Sequence, residues 1–113
     1  MHELSVTESL LKIAVEHAEK AKAGRVTDLH IVIGDLASMV DDSIQFYWDS
    51  IAKDTIAEQA TLHFRRVPAE LQCNTCSARY QPTDEELICP NCHGIGATIV
   101  SGEEFFLESI DVE

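Results

Sequence analysis

The stretch Arg25-Val26-Thr27-Asp28-Leu29-His30-Ile31-Val32-Ile33-Gly34 decides the architecture. Successive side chains in a strand point to opposite faces, so Leu29, Ile31 and Ile33 share one face. Val26, His30 and Val32 share the other. Apolar residues on both faces predict burial on both sides or a central position in the sheet. Gly34-Asp35 breaks it.

Upstream, Ser5-Val6-Thr7-Glu8 reads as a capping box. Val6, Leu10, Ile13, Ala14, His17 and Ala21 then recur at helical spacing, predicting a helix over about residues 6–23. Gly24 stops it, and residues 1–4 remain as a short arm. Downstream, Asp41-Asp42-Ser43 is a run of N-cap residues. Ile44, Tyr47, Trp48 and Ile51 give a second helix, to about residue 54. Residues 60–68 read as a strand with Leu62 and Phe64 on one face, closed by Pro68. Residues 103–112 read as a last strand with Phe106, Ile110 and Val112 on one face. It has no partner near it in sequence, so the simplest solution returns it to the first sheet. His17 reads as a packed histidine; His30 and His63 read as structural.

The expected fold is therefore α+β: a small mixed three-stranded sheet with two helices, plus an inserted zinc-ribbon-like domain. Residues 1–68 and 103–113 form the α+β body, and 69–102 the insertion. A chain of 113 residues fits one such body with a small subdomain.

Eight Lys and Arg stand against twenty Asp and Glu, a formal charge of −12. Phosphate binding rests on basic side chains, so nucleic acid and anionic membranes are excluded as partners. No apolar run is long enough to span a membrane, and Met1-His2-Glu3-Leu4 does not open a signal peptide. The expected location is the cytoplasm.

All four cysteines, Cys73, Cys76, Cys89 and Cys92, lie in two Cys-x-x-Cys pairs within residues 69–102. In a reducing compartment such pairs bind metal rather than form disulfides. Four thiolates in a tetrahedron suit Zn(II), and a closed shell favours a structural role. A rubredoxin-like iron site shares the ligand set, but its usual gap is longer and its packing more aromatic. A c-type haem pattern at Cys89–His93 leaves Cys73 and Cys76 unexplained. A nucleic-acid ribbon conflicts with one arginine, Arg79, against Glu70, Asp84, Glu85 and Glu86. His93 reads as an exposed turn residue, with a replacement or accessory ligand as the functional alternative. Large apolar residues are few here, so the segment needs a staple.

In the arm, the Met1 amine, the His2 amide nitrogen and the His2 ring nitrogen can close adjacent chelate rings. Ni(II) and Cu(II) favour such nitrogen-rich sites. Glu3 adds a carboxylate. Asp41 and Asp42 read as caps of the second helix, with an oxygen-ligand role as the alternative. No nucleophile with its base, no phosphate loop and no acid/base pair stands out, so no enzyme is expected.

The initial Met1-His2-Glu3, the first helix, the Val32-Ile33-Gly34-Asp35 strand end and the late paired cysteines together resemble the HypA/HybF family of hydrogenase nickel-incorporation proteins. The resemblance covers essentially the full length. It implies a metallochaperone with transferable Ni(II) at Met1, His2 and Glu3, and structural Zn(II) at Cys73, Cys76, Cys89 and Cys92. It also implies the GTPase HypB and the [NiFe]-hydrogenase large-subunit precursor as partners, with urease maturation served in some organisms. Two departures stand out. Histidine follows only the second cysteine pair, at His93, while Ser77-Ala78 follow the first. The loop aspartate of some members falls at Val40, with Asp41 and Asp42 next. The alternative reading is a zinc-ribbon protein–protein adaptor without transferable metal.

Overall fold

The computed structural model describes residues 3–82 and 88–113. The elements run α1 (Glu3–Lys20), β1 (Val26–Gly34), α2 (Asp41–Ile51), β2 (Thr61–Val67), β3 (Glu70–Cys73), β4 (Arg79–Tyr80), β5 (Ala97–Ser101) and β6 (Phe105–Val112). They make two three-stranded sheets, ordered β2-β1-β6 and β4-β3-β5. The first is mixed. The Asp35 amide donates to the Val67 carbonyl, so the ends of β1 and β2 meet in parallel. Gly34 pairs with Glu104 and Arg25 with Glu113, so β6 runs antiparallel to β1. The last strand thus returns to the sheet as expected, and of the two readings of β1 the structure shows the central position.

The chain forms two compact units. One comprises the described parts of Met1–Val32, Ser38–Arg65 and Phe106–Glu113; the other comprises those of Ile33–Ala37 and Arg66–Phe105. In the first, α1 packs on α2. Its core buries Leu10, Leu29, Ile31, Ile44 and Trp48, each to within 4% of full burial. Burying one such side chain stabilises by about 1.5–3 kcal/mol.

The helix ends differ from expectation. α1 starts at Glu3, two residues before the proposed Ser5 cap, so Ser5 and Glu8 lie inside the helix and form no capping box. The buried stripe is Thr7, Leu10, Ala14 and Ala18. It lies to one side of the expected one, leaving Ile13 and His17 exposed; His17 is not a packed histidine. Thr7 is tolerated there because its hydroxyl donates to the Glu3 carbonyl one turn back. The helix ends before Gly24. Lys22 adopts φ 57°, with Ala23 N–H on the Ala18 carbonyl and Lys22 N–H on the Glu19 carbonyl. That is a Schellman motif closed by lysine rather than glycine.

In α2, Val40 is the N-cap and makes no side-chain cap bond. Asp41 and Asp42 do not cap; they occupy the first turn, where negative charge complements the helix dipole.

His30 and His63 are not buried. Their rings stack at 4.8 Å and 11°. His30 Nε2 meets Asp111 at 2.9 Å and His63 Nε2 meets Asp28 at 2.6 Å, so four polar side chains stitch β2, β1 and β6. The bond from His63, then one from Thr27, holds the Asp28 carboxyl below its ordinary range.

The second unit has little to bury. Its apolar cluster is Leu71, Cys73, Tyr80 and Cys89, with Cys76, Ala78 and Ala97 against it. Half of that central cluster is cysteine, consistent with a segment too small to fold on hydrophobic burial alone.

Candidate metal centre

Two turns of the same design present the sulfurs. In the first, the Ser77 amide donates to the Cys73 carbonyl at 3.0 Å and the Cys73 amide to the Ala78 carbonyl at 2.9 Å. In the second, the His93 amide donates to the Cys89 carbonyl at 2.9 Å and the Cys89 amide to the Gly94 carbonyl at 2.9 Å. Ser77 and His93 occupy equivalent positions and both take left-handed backbone, φ 64° and 62°. Cys-x-x-Cys spacing supplies the bend, and the residue after it reverses the chain.

The turns face each other. Sγ of Cys73 and Cys92 are 3.5 Å apart, those of Cys76 and Cys89 3.6 Å, and all four ligand atoms lie within 4.8 Å of one another. A regular tetrahedron of sulfurs with zinc bonds of ~2.3 Å has edges of about 3.8 Å, so this set is nearly the required size. Among the described residues it is the one group of metal-ligating side chains so assembled.

Hydrogen-bond donors surround the sulfurs. The Thr75 amide reaches Cys73 Sγ, the Gly94 amide reaches Cys92 Sγ, and Asn91 Nδ2 reaches Cys76 Sγ, each at 3.4 Å. Amides of Cys76 and Thr75 hold the Cys73 thiol down to about 6. The Asn91 side chain, then the Ala78 amide, lowers Cys76. The Gly94 amide favours a thiolate at Cys92, but hydrogen bonding with Cys73 and burial outweigh it and push Cys92 up to about 12. Negative charge is easy to place on the first sulfur and costly on the last. A soft dication among the sulfurs removes that cost, which is the electrostatic case for zinc here.

Met1 and His2 lie outside the described residues. Glu3 sits in the first turn of α1, and the Val40 backbone amide is among the groups acting on its carboxylate. The starts of α1 and α2 are therefore neighbours, which brings Glu3 to the end of the helix pair that carries Asp41 and Asp42. His93 contributes its backbone to the second turn and is itself exposed. Sequence reasoning missed Asn91, Thr75 and Gly94 as donors to sulfur. Their offsets within and just after each cysteine pair were the available signal.

Fold and cluster define a small α+β protein that carries four cysteines in a zinc-binding arrangement. The profile of the HypA family, described as "Hydrogenase/urease nickel incorporation, metallochaperone, hypA", matches residues 1–112. The chain is 44% identical to the hydrogenase maturation factor HypA of Dehalococcoides mccartyi over 113 residues, covering all of this chain and 95% of that one. It is 42% identical to the HypA of Caldanaerobacter subterraneus, with both chains fully covered. The solution structure of the Ni metallochaperone HypA from Helicobacter pylori superposes with a TM-score of 0.67 at 27% identity, covering 99% and 97% of the two chains. A second HypA solution structure gives 0.73 at 27% identity, covering 100% and 97%. The chain belongs to the HypA family of nickel-incorporation metallochaperones. That family role is nickel incorporation as a metallochaperone in hydrogenase maturation, which is not an enzymatic role.

Proposed function

We propose that this protein binds Ni(II) through Met1, His2 and Glu3 and passes it, with the GTPase HypB, to the precursor of the [NiFe]-hydrogenase large subunit in the cytoplasm. Zinc at Cys73, Cys76, Cys89 and Cys92 is structural. Residues 1–68 and 103–113 form the nickel-handling part, and 69–102 the zinc-handling part.

The observation that carries this reading is the family match from residue 1, which includes Met1-His2-Glu3 in the matched stretch. Two further points support it. Nitrogen donors of the arm and sulfur donors of the knuckles select different metals, so two ions are held without exchange. The Val40 amide acts on the Glu3 carboxylate and Asp41 and Asp42 follow Val40, which supports these two as accessory oxygen donors for a borderline metal.

Calorimetric titration of nickel into zinc-loaded protein tests this. The native chain binds one equivalent. His2→Ala, and a chain extended by one glycine before Met1, bind at least about tenfold more weakly with zinc content unchanged. Equal affinity in all three proteins overturns the arm as the site. Stoichiometric release of zinc by added nickel overturns the two-site assignment.

A further inference from the structure

β5 is an edge strand of the second sheet, and its first three residues, Ala97–Ile99, pair regularly with β3. Its residues, Ala97-Thr98-Ile99-Val100-Ser101, include no charge and no proline. Natural edges are blunted by lysine, proline or a bulge; β5 has one bulge, at Val100, where Leu71 pairs with Ile99 and Glu70 with Ser101, and Ala97–Ile99 ahead of it pair regularly. β-Branched side chains occupy three successive positions, the composition that pairs best.

The register shows which backbone groups face outward. The Asn74 amide donates to the Gly96 carbonyl, so that pair is hydrogen-bonded. Alternation along an antiparallel ladder makes Gln72–Thr98 the next such pair, and leaves Leu71–Ile99 and Cys73–Ala97 as the non-bonded ones. The N–H and C=O groups of Ala97 and Ile99 therefore point away from β3. β5 has no strand on that side among the described residues.

Apolar side chains crowd the same part of the unit. Ile95 is 81% exposed, Ile99 44% and Val100 39%. The surroundings are acidic. Among the described residues of this unit, Arg66 and Arg79 stand against Asp35, Glu70, Glu103 and Glu104. Both arginines face carboxylates, Arg66 with Asp35 at 3.9 Å and Arg79 with Glu70 at 3.6 Å. Glu103 and Glu104 follow the strand after Gly102. A second copy of this chain would bring the same excess of negative charge to the edge.

We propose that the outer edge of β5 is a strand-addition site for an extended segment of a partner protein, with apolar β-branched residues at its centre and Lys or Arg at its flanks. Main-chain bonds to Ala97 and Ile99 supply pairing, Ile95, Ile99 and Val100 supply apolar contact, and the acidic surroundings select the basic flanks. This surface operates independently of nickel at the arm.

The test uses the zinc-loaded full chain and short peptides of alternating Val and Thr with Lys at both ends. Amide hydrogen exchange at Ala97 and Ile99 slows at least about tenfold with saturating peptide, as newly bonded amides do. The same core with Glu at both ends binds at least about tenfold more weakly. Ile99→Lys and Val100→Lys abolish binding while zinc content stays at one equivalent. The inference is overturned if neither amide is protected or if Lys- and Glu-flanked peptides bind alike. Protection that rises with protein concentration alone also overturns it, since a second copy then covers the edge.

Discussion

At the scale of the residue, the left-handed positions Ser77 and His93 are where backbone and metal centre meet. A non-glycine residue at φ near 62° carries a steric cost of about 1 kcal/mol. The knuckle bears it because the reversal aims Cys92 and Gly94 inward. His93→Gly is therefore expected to keep full zinc content and raise the stability of the zinc-loaded protein by about 0.5–1 kcal/mol. Denaturant unfolding with parallel metal analysis checks it, and loss of zinc would show the imidazole to be a ligand. The cysteines themselves were legible because ligand geometry is local and two-residue spacing nearly fixes it. The reversals were not, since neither Ser77 nor His93 is a glycine. Lys22 at the end of α1 escaped for the same reason. His17 was misread because Thr7, polar by type, is buried once its hydroxyl finds the Glu3 carbonyl.

At the scale of the element, β1, β2 and β6 were readable from alternation, and the return of the last strand to the first sheet from its lack of a partner near it in sequence; the order β2-β1-β6 was not. Helix ends were less legible, because a cap is defined by backbone geometry that several residue types can supply. Asp41 and Asp42 suit a cap by composition, yet the chain turns at Val40. One contact between elements has a sharp consequence. A Cβ on Gly34 would sit 2.0 Å from the Gly102 carbonyl oxygen, and Gly102 itself takes φ 113°. Backbone on both sides leaves no flexible group to yield. Gly34→Ala is expected to destabilise by about 3 kcal/mol or more, as overpacking against rigid neighbours does. Gly24→Ala is the control. Its nearest backbone atom would be 3.6 Å away, an ordinary contact, so its effect should be small. Equal losses in the two variants would show that close approach is not what Gly34 provides.

At the scale of the whole molecule, the two compact units differ in what holds them. The first buries Leu29, Ile31, Ile44 and Trp48 almost completely and needs no ion. The second buries Leu71 and Tyr80 beside cysteines. Metal binding in such modules contributes on the order of 10 kcal/mol, far more than that cluster can supply. Cys73→Ala combined with Cys76→Ala is expected to lose zinc and the β3–β5 pairing while the circular dichroism of α1 and α2 persists. Acid should act in the same direction. Zinc needs thiolates, and Cys92, pushed up to about 12, must release its proton on uptake at neutral pH, whereas Cys73 at about 6 is already ionised. At least one proton leaves per zinc, so affinity falls at least about tenfold per pH unit between 8 and 6. Chelator competition measures the affinity, and amide spectra of the same samples follow the fold. Loss of both units together on zinc removal would show that the helical unit depends on the metal. Affinity independent of pH would show that the sulfurs are ionised before zinc arrives.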